Sequence, residues 1–187
     1  MAGEVGPRAR AGITTPLWSA GEYAAPLPRL ISQAKDHHRW DAIALLAVRL
    51  AYAVAGLADA AGLRGAGVLV PFPSQAKTVR SRGLDVTWTL AVRACRNLRA
   101  AGMAVVPARV LAHSRAVADQ GDLTSEARAT NLVGALHVAA RPPPGWLVLV
   151  DDVVTTGASL REAVRACVHD GLVPAGLATV AATELRT

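Results

Sequence analysis

The chain has 187 residues, 52% hydrophobic and 18% charged, enough apolar material for one domain with a buried core and too much for a disordered chain. Its formal net charge of +6 comes almost wholly from arginine, since Lys35 and Lys77 are the only lysines. That balance suits anionic partners, although an alanine- and arginine-rich composition produces the same charge by itself. No run approaches eighteen uncharged apolar residues, so no membrane-spanning segment is expected. Residues 1–15 lack the hydrophobic stretch of a signal peptide, so a cytoplasmic location is expected.

Residues 1–22 are rich in Gly, Pro and Ala with no clear period and read as a mobile N-terminal tail, leaving 23–187 as one domain. From Trp40, the spacing Ile43, Ala47, Leu50, Val54, Leu57 predicts a helix with one apolar face. Val68-Leu-Val70, bounded by Gly and Pro, suits a strand buried on both faces. Leu84, Trp88, Ala91, Cys95 and Leu98 predict a second helix. Ala104–Val110 follows as a strand, and Pro107 argues against a central place for it. The stretch His113–Asn131 is polar, weakly periodic and too long for an ordinary connection, which favours a functional loop. Trp146–Val150 is the clearest buried strand. The helix after it carries Leu160, Ala163, Val164, Cys167, Val168 and Gly171, and Ser159-Leu-Arg-Glu162 has the pattern of a capping box. Val173–Thr183 supplies a last strand. Strands and helices alternate, so the economical architecture is α/β, a mostly parallel sheet flanked by helices. Cys95 and Cys167 fall inside helical patterns and read as core thiols. His137 and Trp146 lie in strand-like runs and read as packing residues, whereas His37-His38 reads as solvated.

The stretch Val148-Leu-Val-Asp-Asp-Val-Val-Thr-Thr-Gly-Ala-Ser159 carries the chemistry. An apolar strand ends in two carboxylates, and a loop of small residues leads into a helix. In open α/β sheets ligands sit at the carboxyl ends of strands. Thr155, Thr156 and Ser159 offer hydroxyls, Gly157 and Ala158 let backbone N–H groups approach, and a helix N-terminus stands behind them. Together they form a cradle for a phosphate dianion. Asp151 and Asp152 add acceptors for sugar hydroxyls or for an oxygen-seeking metal. A phosphate beside a diol describes a ribose 5-phosphate.

Three other phosphate sites fail on residues that should be present. The chain has no G-x-x-x-x-G-K-[ST], its Gly65-Ala-Gly67 precedes a strand where a dinucleotide fingerprint follows one, and no lysine comes after Lys77 for a receiver domain.

The Asp151–Ser159 stretch resembles the phosphoribosyl pyrophosphate (PRPP) signature of type I phosphoribosyltransferases. Val70-Pro-Phe-Pro73 with Arg80-Ser-Arg-Gly83, and the spaced Arg115, Gln120, Leu123, Arg128, Asn131 followed by Gly134-Ala135, resemble the competence-associated ComF-like family. The match runs from about Tyr23 to Thr183 and includes a Leu30-Ile31…Lys35 element. The chain departs from that family in lacking the cysteines of its zinc module, and in having Arg82-Gly-Leu-Asp85 where Arg-Gly-Phe-Asn is usual.

The resemblance implies a type I phosphoribosyltransferase fold with a flexible hood. It implies transfer of a phosphoribosyl group to or from a nitrogen base, the acceptor being left open, with Mg²⁺ as cofactor. Asp151 and Asp152 become the catalytic acids, on Mg²⁺ directly or through ribose hydroxyls or water. Thr155, Thr156, Gly157, Ala158 and Ser159 become the 5′-phosphate site, and Ser74, Lys77, Arg80 and Arg82 the pyrophosphate grip. Arg115, Gln120, Arg128 and Asn131 belong to the hood, where His113 is a candidate for proton transfer. The alternative implied is a PRPP sensor without turnover, or an accessory to DNA uptake with DNA-uptake proteins as partners; a homo-oligomer fits either. Scattered arginines and dispersed aromatics lead us to expect only weak, non-specific nucleic-acid binding.

Overall fold

The computed structural model describes residues 5–8, 10, 12–114 and 132–183. The elements run β1 (Gly6–Arg8), β2 (Leu17–Ser19), α1 (Leu27–Asp36), α2 (Trp40–Ala60), β3 (Gly67–Pro71), α3 (Ala76–Arg82) and α4 (Val86–Ala100). They continue with β4 (Val105–Pro107), β5 (Leu111–His113), β6 (Leu136–Val138), β7 (Trp146–Val154), α5 (Ala158–His169) and β8 (Gly176–Ala182). Six strands form one sheet in the order β1-β2-β8-β7-β3-β4. Every pairing in it is parallel except β1 on β2. β5 and β6 pair antiparallel as a separate ribbon. This is the mostly parallel, helix-flanked α/β architecture of the type I phosphoribosyltransferase fold.

Alternation along β7 splits the core into two layers. Val148 and Val150 face the cluster built with α1, α2 and α4, which also takes Leu69, Val105, Ala178 and Val180. Leu147 and Leu149 face the other cluster, with Val68, Val70 and Leu177 from the sheet, Leu160, Ala163 and Cys167 from α5, and Leu111 and Leu136 from the ribbon. A strand buried on both faces reads as an unbroken apolar run, which is why Trp146–Val150 stands out in sequence. Gly67 lies where the indole of Trp146 crosses β3: a Cβ there would sit 2.2 Å from the ring.

α2 is long and apolar enough, by length and composition, to cross a membrane. Here Ile43, Leu46, Leu50, Val54 and Leu57 are buried against the sheet and its neighbouring helices, so it serves as the central core helix. Leu45, Val48 and Tyr52 leave its outer face apolar and exposed.

Four details depart from the sequence reading. No element was placed before Tyr23, yet β2 lies inside the sheet beside β8, with Leu17 and Ser19 buried. A three-residue strand is too short to show a period. β7 does not end at Val150 but runs to Val154, with Asp151 paired to Thr179 and Val153 to Ala181. The helix after β7 starts at Ala158 from Gly157 (φ 79°), without a side-chain cap; Glu162 instead accepts the Leu136 N–H at 2.9 Å, tying α5 to β6. His137 is exposed and bonded to Ser114 at 3.1 Å, because β6 belongs to the ribbon and not to the sheet. Pro107 does close an outermost strand, β4, beside β3.

The topology leaves a crevice between β3 and β7. After β3 the chain passes through α3 and α4 to β4, packing α4 on one face of the sheet. After β7 it turns the other way, through α5 on the opposite face to β8. Adjacent parallel strands whose connections leave in opposite directions open a cleft at their carboxyl ends.

Candidate functional site

The cleft at the ends of β3 and β7 has a volume of about 320 Å³. Pairing between the two strands stops at Pro71 opposite Val150. β3 departs there, and the next two residues of β7, Asp151 and Asp152, line the opening it leaves. Asp151 is half-buried and Asp152 buried. Asp151 Oδ1 accepts the backbone N–H of Asp152 at 2.8 Å.

Burial, and after it the charge of Asp152, pushes the Asp151 carboxyl well above the usual carboxylate range, while Lys35 acts the other way. The two adjacent carboxyls can together meet a vicinal diol. Asp152 is ion-paired with the ammonium of Lys35, from the last turn of α1. Burial works against the charge on Lys35, but attraction and hydrogen bonding to Asp152 outweigh it and raise its pKa.

Beyond β7 the loop Thr155–Ser159 borders the cleft and a smaller hollow beside it. Thr155 and Thr156 are exposed. The Ala158 N–H lies 3.4 Å from Thr156 Oγ1, and no side chain caps α5. The first N–H groups of a helix have no partner within it, and here they rise behind two exposed hydroxyls. Gly157 takes its left-handed conformation at the point of closest packing: a Cβ there would lie 2.8 Å from Ile13 Cδ1. Arg10 and Arg161 hold the loop from behind, donating to the carbonyls of Thr155 at 2.8 Å and Thr156 at 2.9 Å.

The opposite wall comes from Phe72, Pro73, Ser74 and Gln75, from Thr78, Val79 and Arg82 of α3, and from the first residues of α4. Of the four residues expected to grip pyrophosphate, Ser74 and Arg82 line the cleft, whereas Lys77 and Arg80 are exposed and do not. Ser74 lies in the loop before α3, and on α3 itself Arg82 points to the cleft side while Lys77 and Arg80 point elsewhere. Ser74 donates to Asp85 at 2.8 Å. That carboxylate also caps α4 through the Trp88 N–H at 3.1 Å and pairs with Arg109 at 2.8 Å. The acid by which this turn departs from the ComF-like pattern is therefore a structural hub. Arg82 pairs with Asp36 at 3.2 Å.

His113, at the end of β5, also lines the cleft. Its Nε2 bonds the Pro73 carbonyl at 2.9 Å, so that nitrogen carries the hydrogen, and its ring meets Phe72 edge-on. The hood residues Arg115, Gln120, Arg128 and Asn131 lie outside the described residues. The structure thus brings together Asp151, Asp152, Thr155, Ser159, Ser74 and Arg82, with Gly157 and Ala158 in the adjoining hollow.

In the sequence Arg10 and Asp36 have no assigned role, and Lys35 enters only within the Leu30-Ile31…Lys35 element of the resemblance. For Lys35 the signal was present: one of two lysines in an arginine-rich chain, placed at the end of an amphipathic helix. Arg10 had no such signal, because it works through backbone carbonyls distant in sequence.

The acid pair is too small a donor set to hold a divalent cation without waters or ligand oxygens completing its shell. Hard cations take six or more oxygens, and among the described residues no group of three or more His, Cys, Asp or Glu is placed to hold a metal. One of the two acids already carries an ammonium. The residues do suit an ion held by oxygens of a bound pyrophosphate.

No family model matches the chain. The chain is 29% identical over 155 residues to the DNA utilization protein YhgH of Salmonella typhimurium, covering 83% of this chain and 66% of that protein. It therefore spans about two thirds of the length of the curated relative it matches.

Proposed function

We propose that the cleft binds PRPP with Mg²⁺ and that the chain transfers the phosphoribosyl group to or from a nitrogen base. The observation that carries this reading is a cleft and an adjoining hollow that present three kinds of group: a phosphate cradle at Thr155–Ser159, an acid pair at Asp151 and Asp152, and Ser74 with Arg82 on the opposite wall. A 5-phosphate, a ribose diol and a pyrophosphate occur in that order in PRPP.

In the forward direction the bond from C1 to the pyrophosphate oxygen breaks, and pyrophosphate leaves with the electron pair. A bond from nitrogen to C1 forms, and the nitrogen gives its proton to solvent. Positive charge develops on the sugar, so the protein's part is to position the ribose and to stabilise that charge beside Asp152. Arg82 receives the departing pyrophosphate, and Ser74 turns its hydroxyl hydrogen to that anion when it leaves Asp85. With the leaving pyrophosphate held at Arg82, a bound Mg²⁺ would supply charge neutralisation there.

A second reading is favoured by the likeness to a protein named for DNA utilization. In it the chain senses PRPP, or serves DNA uptake, without turnover; a likeness of that kind accords with the ComF-like motifs. Fold alone does not choose between the two. Pyrophosphate release from PRPP and Mg²⁺ with a panel of nitrogen bases, beside calorimetric binding, separates them. Binding with release identifies the transferase, and binding without release the sensor. No binding at millimolar PRPP, or an unchanged affinity for Asp152→Asn, overturns the proposal.

A further inference from the structure

Consecutive residues at the end of α1 reach the two sides of the cleft. Lys35 pairs with Asp152 on β7, and Asp36 pairs with Arg82 at the end of α3, at 3.2 Å. The Lys35 side chain is 30% exposed and lines the cleft, and that of Asp152 is 9% exposed. A lysine this enclosed loses hydration, and the packing that encloses it offers Asp152 as the compensating anion. Lys35 also faces the cation of Arg82, which repels it, and the charge of Asp151, which attracts it. The end of a helix favours a cation at this position. Asp152 therefore has a fixed monovalent cation on one side and the open cleft on the other.

We propose that Lys35 is a positioning residue of the ribose site: its ammonium holds the Asp152 carboxylate toward the cleft and occupies the place a directly coordinated divalent cation would take. This rests on the reading of the cleft as a phosphoribosyl site. Ribose hydroxyls then bind the acid pair without a metal, and a divalent ion enters only on the pyrophosphate. Asp36 extends the same strut to Arg82, so α1 sets the spacing between the diol end and the pyrophosphate end.

The test is calorimetric titration of the full chain with ribose 5-phosphate in the presence of a chelator, and separately with pyrophosphate and Mg²⁺. The wild type binds ribose 5-phosphate without divalent metal. Lys35→Met weakens that binding about tenfold or more, as expected for loss of a charge-assisted contact, and leaves the affinity for Mg²⁺-pyrophosphate nearly unchanged. Lys35→Arg recovers a large part of the loss. If methionine prevents folding, Lys35→Gln, which can still donate to Asp152, takes its place.

Unchanged ribose 5-phosphate affinity in the Lys35 variant overturns the proposal, and so does an equal loss of both ligands, which marks a purely structural lysine. A strict metal requirement for ribose 5-phosphate in the wild type removes the metal-replacing role. A wild type that binds neither ribose 5-phosphate nor PRPP takes the functional reading down with it.

Discussion

Arg10 Nε donates to the backbone carbonyl of Thr155 at 2.8 Å, so a residue near the start of the sequence braces the first residue of the loop between β7 and α5. The same guanidinium reaches the carbonyls of Val154, at 3.5 Å, and of Thr183. Arg10 is buried, and its desolvation lowers its pKa, an effect Arg8 reinforces. Removing such a donor leaves the part-buried carbonyls of Thr155 and Thr183 without it. Arg10→Ala is expected to lose about 1–3 kcal/mol of stability, read from urea unfolding. Amide exchange at 155–157 should quicken. Unaltered exchange there would mean that the loop holds its shape without the arginine.

Gly157 turns the chain from β7 into α5 with φ 79° against Ile13. A side chain at that position meets both conformational strain and a close contact. Gly157→Ala is expected to cost about 1–2 kcal/mol and to weaken phosphate binding, because the loop N–H groups move. A variant with wild-type stability and wild-type affinity for ribose 5-phosphate would refute the assigned role of this glycine.

Both cysteines are buried in the core, and burial pushes the thiols up, Cys95 to about 12 and Cys167 to about 11. Neither should react with a thiol reagent at pH 8 until the protein unfolds. An unfolded thiol ionises near pH 8.5, so above that pH the unfolded chain holds fewer protons than the folded one. Stability then falls as pH rises, by up to about 1.4 kcal/mol per pH unit for each thiol. Cys95→Ala should flatten that slope between pH 9 and pH 11. Fast labelling of the native protein would contradict the buried placement.

The net charge of +6 and the relative concerned with DNA utilization both invite a test of DNA binding. Trp88 and Trp40 lie under Arg109 and Arg93, at 4.2 and 5.3 Å, so these arginines cover indole faces that could otherwise stack on bases. DNA binding by this chain is expected to be weak and non-specific, with a steep loss as salt rises. Fluorescence anisotropy at several salt concentrations measures it. Tight, sequence-dependent binding at physiological salt would favour the accessory role over the transferase.

Local sequence carried the α/β class, the buried strand that becomes β7, the core helices and the small-residue turn that follows β7, because each rests on periodicity or on residues adjacent in the chain. The acid pair and Thr155–Ser159 were legible for the same reason: one strand and one turn present them together. What the sequence by itself could not decide is everything that depends on residues meeting across the fold. β2 takes its place only by lying beside β8, and three residues carry no pattern of their own. The separation of Arg82 from Lys77 and Arg80 is decided by the side of α3 that meets the cleft. Lys35 joins the site because α1 packs its end against the opening that β3 leaves beside Asp152, a contact made by tertiary packing and by no local spacing.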